Sequence, residues 1–224
     1  MSKLVQIVKD LSCFNERTDE IGSEISYEYV LEAISKIKRY LNSNRDCPAL
    51  CAPQVGYKLR LFVVKKNKED SLGSGKFDIF LNPIIVSKKG FHLSRERNES
   101  IIDKEFIIPR YNEVHVAYQE KDGRVNSKSF IGAYGEVVQQ MIDMLDGLTL
   151  GDYGLEVGED FDKASKEDKA KIIQLYLDYL KTISKNLQDE IEKTPELKTV
   201  DDTIKFMTGI LDGSITIVKE EEKK

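Results

Sequence analysis

Few side chains in this 224-residue chain have both the type and the spacing to do chemistry. Cys47 and Cys51 stand four apart, like half of a zinc-ligand set. No second pair completes them, and the two histidines, His92 and His115, are far apart in sequence. A nucleophilic pairing of Cys51 with a histidine would need one of those two nearby, yet His115 sits in an alternating strand pattern that turns it outward. A relocated metal site and a Cys–His nucleophile are therefore the weaker readings. The segment "EVVQQMIDMLDGL", residues 136–148, is helical in pattern and carries Met141 and Met144 three apart on one face. Gln54, Glu99 and Asp143 complete the polar candidates. Their plainest roles are a structural amide, a loop-fixing carboxylate, and a helix acid satisfied by backbone or arginine.

The elements that must position these residues fall into three blocks. Residues 25–43 place Tyr27, Val30, Leu31, Ile34, Ile37 and Leu41 at helical spacing. From 59 to 130, "LRLFVV" and "FDIFLNPIIV" read as strands around the loop "SLGSG", and Lys121-Asp122-Gly123 marks a hairpin. "SKKGFHLSRERNES", residues 87–100, reads as a charged loop. A helix over about 135–146 stops at Gly147. In the third block Ser165 and Asp168 form a capping box, and Ile173, Tyr176, Leu180, Ile183, Leu187 and Ile191 recur every three or four residues until Pro195. That stripe suits packing on the chain's own domain or a subunit or partner interface. A short helix over 200–211, a strand at "SITIV" and a frayed charged tail follow.

Composition bounds the rest. Forty per cent apolar and 33% charged residues describe a globular chain. No apolar run approaches the roughly 20 residues that span a bilayer, and the N-terminus lacks a signal-peptide pattern, so no membrane is expected. Three cysteines, an odd number, favour free and mostly buried thiols in a reducing, intracellular setting. A net charge of −5 argues against sequence-independent nucleic-acid binding.

"CPALCAPQVG", residues 47–56, resembles the first signature of the peptide deformylases, two interleaved glycines followed by Ala-Ala-Pro-Gln, a hydrophobic residue and Gly. Leu50, Ala52, Pro53, Gln54, Val55 and Gly56 fit it; Cys47 and Ala49 stand at the leading glycines, and Cys51 at the first alanine. The second signature, Glu-Gly-Cys-Leu-Ser, falls on "ESIID", residues 99–103, with Glu99 kept and Ile102 hydrophobic like the leucine. The third, Gln-His-Glu-x-x-His with Asp before its last histidine and Leu-Asp-Gly after it, falls on "QQMIDMLDG", where Gln139, Asp143, Leu145, Asp146 and Gly147 agree. The resemblance implies an α+β fold of antiparallel sheets around a central helix over residues 1–158, with a helical C-terminal extension over 159–224.

It also implies a divalent metal, held in the family by the cysteine and two histidines of these signatures, and a glutamate that handles the proton of metal-bound water. Those positions here are Ile101, Gln140 and Met144, with Met141 at the glutamate. The expectation is of a pseudoenzyme, not an enzyme, with no metal or other cofactor. Gln54, Glu99, Ile101, Ile102, Gln140, Met141 and Met144 would be vestigial site positions, with Ile101 facing the two methionines across a cavity refilled as apolar core. The expected function is a structural or interaction subunit of a larger assembly with protein partners, cytoplasmic, or a virion component if phage-encoded. The alternatives are a non-hydrolytic binder of peptide N-termini, its strand added near Ile102 with Gln54 fixing the end, and a divergent metal-dependent hydrolase.

Overall fold

The computed structural model describes residues 5–66, 76–90, 92–176 and 178. Helix α1, Tyr27–Ser43, starts where the Ser26 side chain accepts a hydrogen bond from the Tyr29 N–H. Its buried residues Val30, Ala33, Ile34, Ile37 and Leu41 recur at three and four, whereas Tyr27 lies outside the stripe and is exposed. Two short strands follow, β1 (Ala49–Cys51) and β2 (Leu61–Lys65). They join β3 (Phe77–Lys89), β6 (Glu113–Gln119) and β7 (Val125–Ile131) in an antiparallel sheet of order β1-β2-β3-β6-β7.

Strand β2 is covered on both faces, which is why it reads as an unbroken apolar run. Leu61 and Val63 pack in the cluster that holds α1, and Phe62 and Val64 in the cluster that holds α2, Gly132–Leu145. Helix α2 is the central helix: Val138, Met141, Ile142 and Leu145 are buried against Phe62, Phe80, Val116 and Phe130. It ends as expected at Gly147, whose φ of 88° is the left-handed conformation of a helix stop. The β6–β7 hairpin turns at Gly123, φ 83°, with Glu120 N–H donating to the Arg124 carbonyl at 2.8 Å.

The charged stretch 87–100 is not a loop. Residues 87–89 finish β3, and β4, His92–Asn98, pairs antiparallel with β5, Ile101–Arg110. The buried side of β4 is Ser94, Glu96 and Asn98, so polar residues alternate with polar residues and the period of two carries no hydropathy signal. Between the pairs Glu96↔Phe106 and Asn98↔Ile101, four residues of β5 oppose Arg97 alone. The resulting bulge holds Asp103 at φ 56° and leaves Ile102 58% exposed.

A short helix α3, Leu150–Tyr153, leads into β8, Leu155–Val157, which completes a second sheet of order β4-β5-β8. After α4, Glu159–Lys163, Asp168 N–H donates to Ser165 Oγ at 3.1 Å, the expected cap, and residues 166–176 are helical. Tyr176 is buried, its hydroxyl donating to the Tyr153 carbonyl at 2.6 Å. This corrects its place on an interface stripe, because the ring packs on the chain's own domain. Ile173 is half-buried. Leu180, Ile183, Leu187 and Ile191 lie outside the described residues, as do the loop 71–75, the stop at Pro195, the helix over 200–211, the strand 214–218 and the tail. No helix among the described residues is long and apolar enough to cross a membrane.

Candidate functional site

The signature residues converge where the turn after β1, the β4–β5 turn and α2 meet. Ala52–Val55 form a 3-10 turn ending at Gly56, φ 87°, and this turn buries Gln54 completely. Gln54 Oε1 accepts from Cys51 N–H at 3.1 Å, and Nε2 donates to Asn98 Oδ1 at 3.2 Å and Ser100 Oγ at 3.4 Å. Asn98 Nδ2 donates to Gln140 Oε1 at 3.2 Å and to Met144 Sδ at 3.0 Å. Gln140 Nε2 continues to Glu96 Oε2 at 2.8 Å and the Arg97 carbonyl at 3.1 Å.

Beyond Glu96 the network becomes ionic. Arg110, buried at the end of β5, donates from Nε and Nη2 to the two Glu96 oxygens at 2.6 and 2.8 Å. Its Nη1 reaches Asp143 Oδ2 at 2.5 Å and Tyr153 Oη at 3.2 Å, and the Tyr153 hydroxyl also donates to Asp143. Burial works against the Arg110 charge, but Asp143, Tyr153 and Glu96 outweigh it and hold its pKa well above the ordinary value. Burial and the Asp143 carboxylate push the Tyr153 hydroxyl well above its usual range, so it is a fixed donor. Asp143 is thus satisfied by arginine, as its sequence context suggested.

Glu99 is a loop-fixing carboxylate: Tyr40 Oη donates to its Oε2 at 2.5 Å, and Lys9 Nζ donates to its carbonyl. Ile101 is buried beside Phe106, Ile108 and Leu150, while Met141 and Met144 lie in the α2 core cluster. The cavity is therefore not refilled by three mutually facing apolar chains. Asn98, an amide, is what lies against Met144, and its polarity brings Gln54, Ser100 and Gln140 with it. Asn98, Glu96, Arg110 and Tyr153 escaped the sequence reading because none belongs to a signature and β4 did not read as a strand. Cys47 and Cys51 are buried and Cys13 is exposed. His115 is half-buried, with Nδ1 3.1 Å from Ser129 Oγ.

The donor set decides whether the family's metal fits. Iron or zinc in such a site needs thiolate or imidazole. Ile101 offers no donor, Met144 a thioether, and Gln140 a neutral amide whose oxygen already accepts from Asn98. Among the described residues no group of three or more His, Cys, Asp or Glu is placed to hold a metal ion. These residues do not fit the metal.

Antiparallel sheets around a buried central helix, with the three signatures brought to one junction, define a peptide-deformylase-like α+β fold. The family model described as polypeptide deformylase matches residues 1–157, and the chain belongs to that family. A peptide deformylase of Desulfotalea psychrophila is 32% identical over 111 residues, 48% of this chain and 64% of that protein. One from Bradyrhizobium diazoefficiens is 30% identical over 131 residues, 54% of this chain and 75% of that protein. The chain thus spans just under two thirds of the first relative's length. A crystal structure of a probable peptide deformylase from a Synechococcus phage, 28% identical, superposes with a TM-score of 0.59 over 66% of this chain and 99% of that one.

Membership corrects one expectation. The sequence reading as a pseudoenzyme, not an enzyme, is overturned, because the family and its bacterial and phage relatives carry an enzyme's name. The altered donors bear on how this one position fits a metal ion, and not on whether the chain turns over a substrate.

Proposed function

We propose that this deformylase-family chain serves as an interaction subunit of a larger protein assembly, its fold supplying the contact surface. If the chain is phage-encoded, as its Synechococcus phage neighbour is, the specific form is a virion component. The observation that carries the reading is the outer face of β7. This strand is an edge of its sheet. Alternate residues Val125, Ser127, Ser129 and Ile131 share one exposed face and none of the four is charged, with Glu113 of β6 opposite Ile131; Val125 and Ile131 are 75% and 68% exposed. Ile84, 50% exposed, extends that face across the register Ile84↔Ala117↔Ser127. Lys128, on the strand's other side, is the only charge from Val125 to Ile131; folded proteins usually guard an open edge with charge or proline, because its unpaired backbone groups are a template for another chain.

The rival reading, capture of a peptide N-terminus, gains little from the geometry. Ile102 is exposed beside an irregular strand, but Gln54 is fully buried and both ends of its amide are engaged.

Cross-linking in native extracts, read by mass spectrometry, tests the proposal. Val125→Lys with Ile131→Lys should abolish cross-links through β7 while changing stability by no more than about 0.5 kcal/mol, since both sites are exposed. A chain that is always monomeric and partnerless, or a pattern that the double variant leaves intact, would overturn it.

A further inference from the structure

We infer that a lattice of side-chain amides centred on Asn98 does, in this chain, the mechanical work of a metal ion: it ties α2 to the β4–β5 turn and to the turn after β1. This rests on the site geometry and is independent of the interaction reading above.

The amide of Asn98 has two N–H donors and an oxygen with two lone pairs, and every one is engaged. Its oxygen accepts from Ser100 N–H at 2.8 Å and from Gln54 Nε2 at 3.2 Å. Its nitrogen donates to Gln140 Oε1 at 3.2 Å and Met144 Sδ at 3.0 Å. Only one orientation satisfies this set, because a flipped amide would turn its NH2 toward two donors. The partners come from the three segments that carry the signatures: Gln54 from the first, Ser100 from the second, Gln140 and Met144 from the third. A bound ion would join the second and third of those segments through ligand bonds, and such bonds contribute directly to folding free energy. Here the same cross-link consists of neutral hydrogen bonds in a buried setting, where an unmatched amide would be costly. The Asn98 amide at the centre is saturated and leaves no lone pair of its own for a cation. The Asn98 oxygen already has its two donors, and the Gln140 oxygen accepts from Asn98.

The inference gives the chain a stability that owes nothing to metal. The test uses the full chain, expressed with iron and zinc supplied and purified without chelator. Elemental analysis should find less than about 0.1 metal ion per chain, and EDTA or 1,10-phenanthroline should leave Tm unchanged. Asn98→Ala should lower Tm by about 5 °C or more, the scale expected for stranding several buried amide groups in a chain of this size. Native-state hydrogen exchange should accelerate about tenfold or more in the second half of α2 and in the β4–β5 turn together, a joint response that loss of one local contact would not give. Should Asn98→Ala fail to fold, Gln140→Met keeps the volume and removes the links to Asn98 and Glu96, with the same exchange pattern expected. About one metal ion per chain, a Tm that falls with chelator, or exchange confined to the substituted strand would each overturn the inference.

Discussion

Replacing Arg110 by Met should be among the most damaging single substitutions in the chain. The side chain is buried, makes two hydrogen bonds to Glu96, and reaches Asp143 and Tyr153 with its third nitrogen. Methionine fills much of the same volume, so the loss is chiefly electrostatic: two carboxylates are left without their shared cation. Glu96 is the worse placed, its side chain 7% exposed against 25% for Asp143. Breaking one buried ion pair from one side costs about 3–5 kcal/mol. For a chain of this size that corresponds to a fall in Tm of about 6–20 °C. Denaturant and thermal unfolding followed by circular dichroism would measure it. Adding Glu96→Gln and Asp143→Asn to Arg110→Met should recover a substantial part of the loss, because the orphaned charges are then gone. A cost below about 1 kcal/mol for Arg110→Met, or no recovery in the triple variant, would refute the view of this network as a mutually compensated buried cluster.

Three further outcomes rest on the same geometry. Burial pushes the Cys47 and Cys51 thiols up to about 12, so a thiol reagent at about pH 8 should modify exposed Cys13 rapidly and the other two only after unfolding; fast modification of all three in native protein would contradict this. Arg97 and then Arg95 hold the Glu105 carboxyl below its ordinary range, and Arg95 does the same for Asp162. A depressed carboxylate contributes stability that is complete above its unfolded pKa of about 4 and lost as pH falls through the folded value. Urea midpoints should therefore drop below about pH 4, less steeply in Glu105→Gln with Asp162→Asn, and identical slopes would count against it. Met141→Glu with Met144→His puts polar groups into two sites that are each 2% exposed and should destabilise the fold by several kcal/mol, on the order of 2–5; a neutral result in unfolding experiments would show that the α2 face is not packed as described.

Much of the architecture was legible because hydropathy marks it. The α1 stripe, the doubly buried run of β2, the Gly123 hairpin and the Gly147 stop each leave a local signal. The family could be read from residues 47–56, 99–103 and 139–147 despite the replaced donors, since Pro53, Gln54, Gly56 and Gly147 fix turns that the fold needs. Strand β4 was hidden because its buried face is Ser94, Glu96 and Asn98, and no periodicity scale expects polar residues inside. Missing β4 also hid the site's centre. Asn98 looks like any loop asparagine until its strand is known, and the apolar refilling read from Ile101, Met141 and Met144 overlooked an amide that only tertiary pairing brings to Met144. Tyr153 and Arg110 belong to the same category, distant in sequence and joined by a carboxylate on a third element.

The most direct test is X-ray diffraction from crystals of the full chain, with anomalous data collected at the iron and zinc edges. The account predicts the Asn98 side chain in hydrogen-bond contact with Gln54, Gln140 and Met144, and no anomalous peak at that junction. An ion ringed by protein atoms beside residues 140–144, with the Asn98 amide turned away, would contradict it.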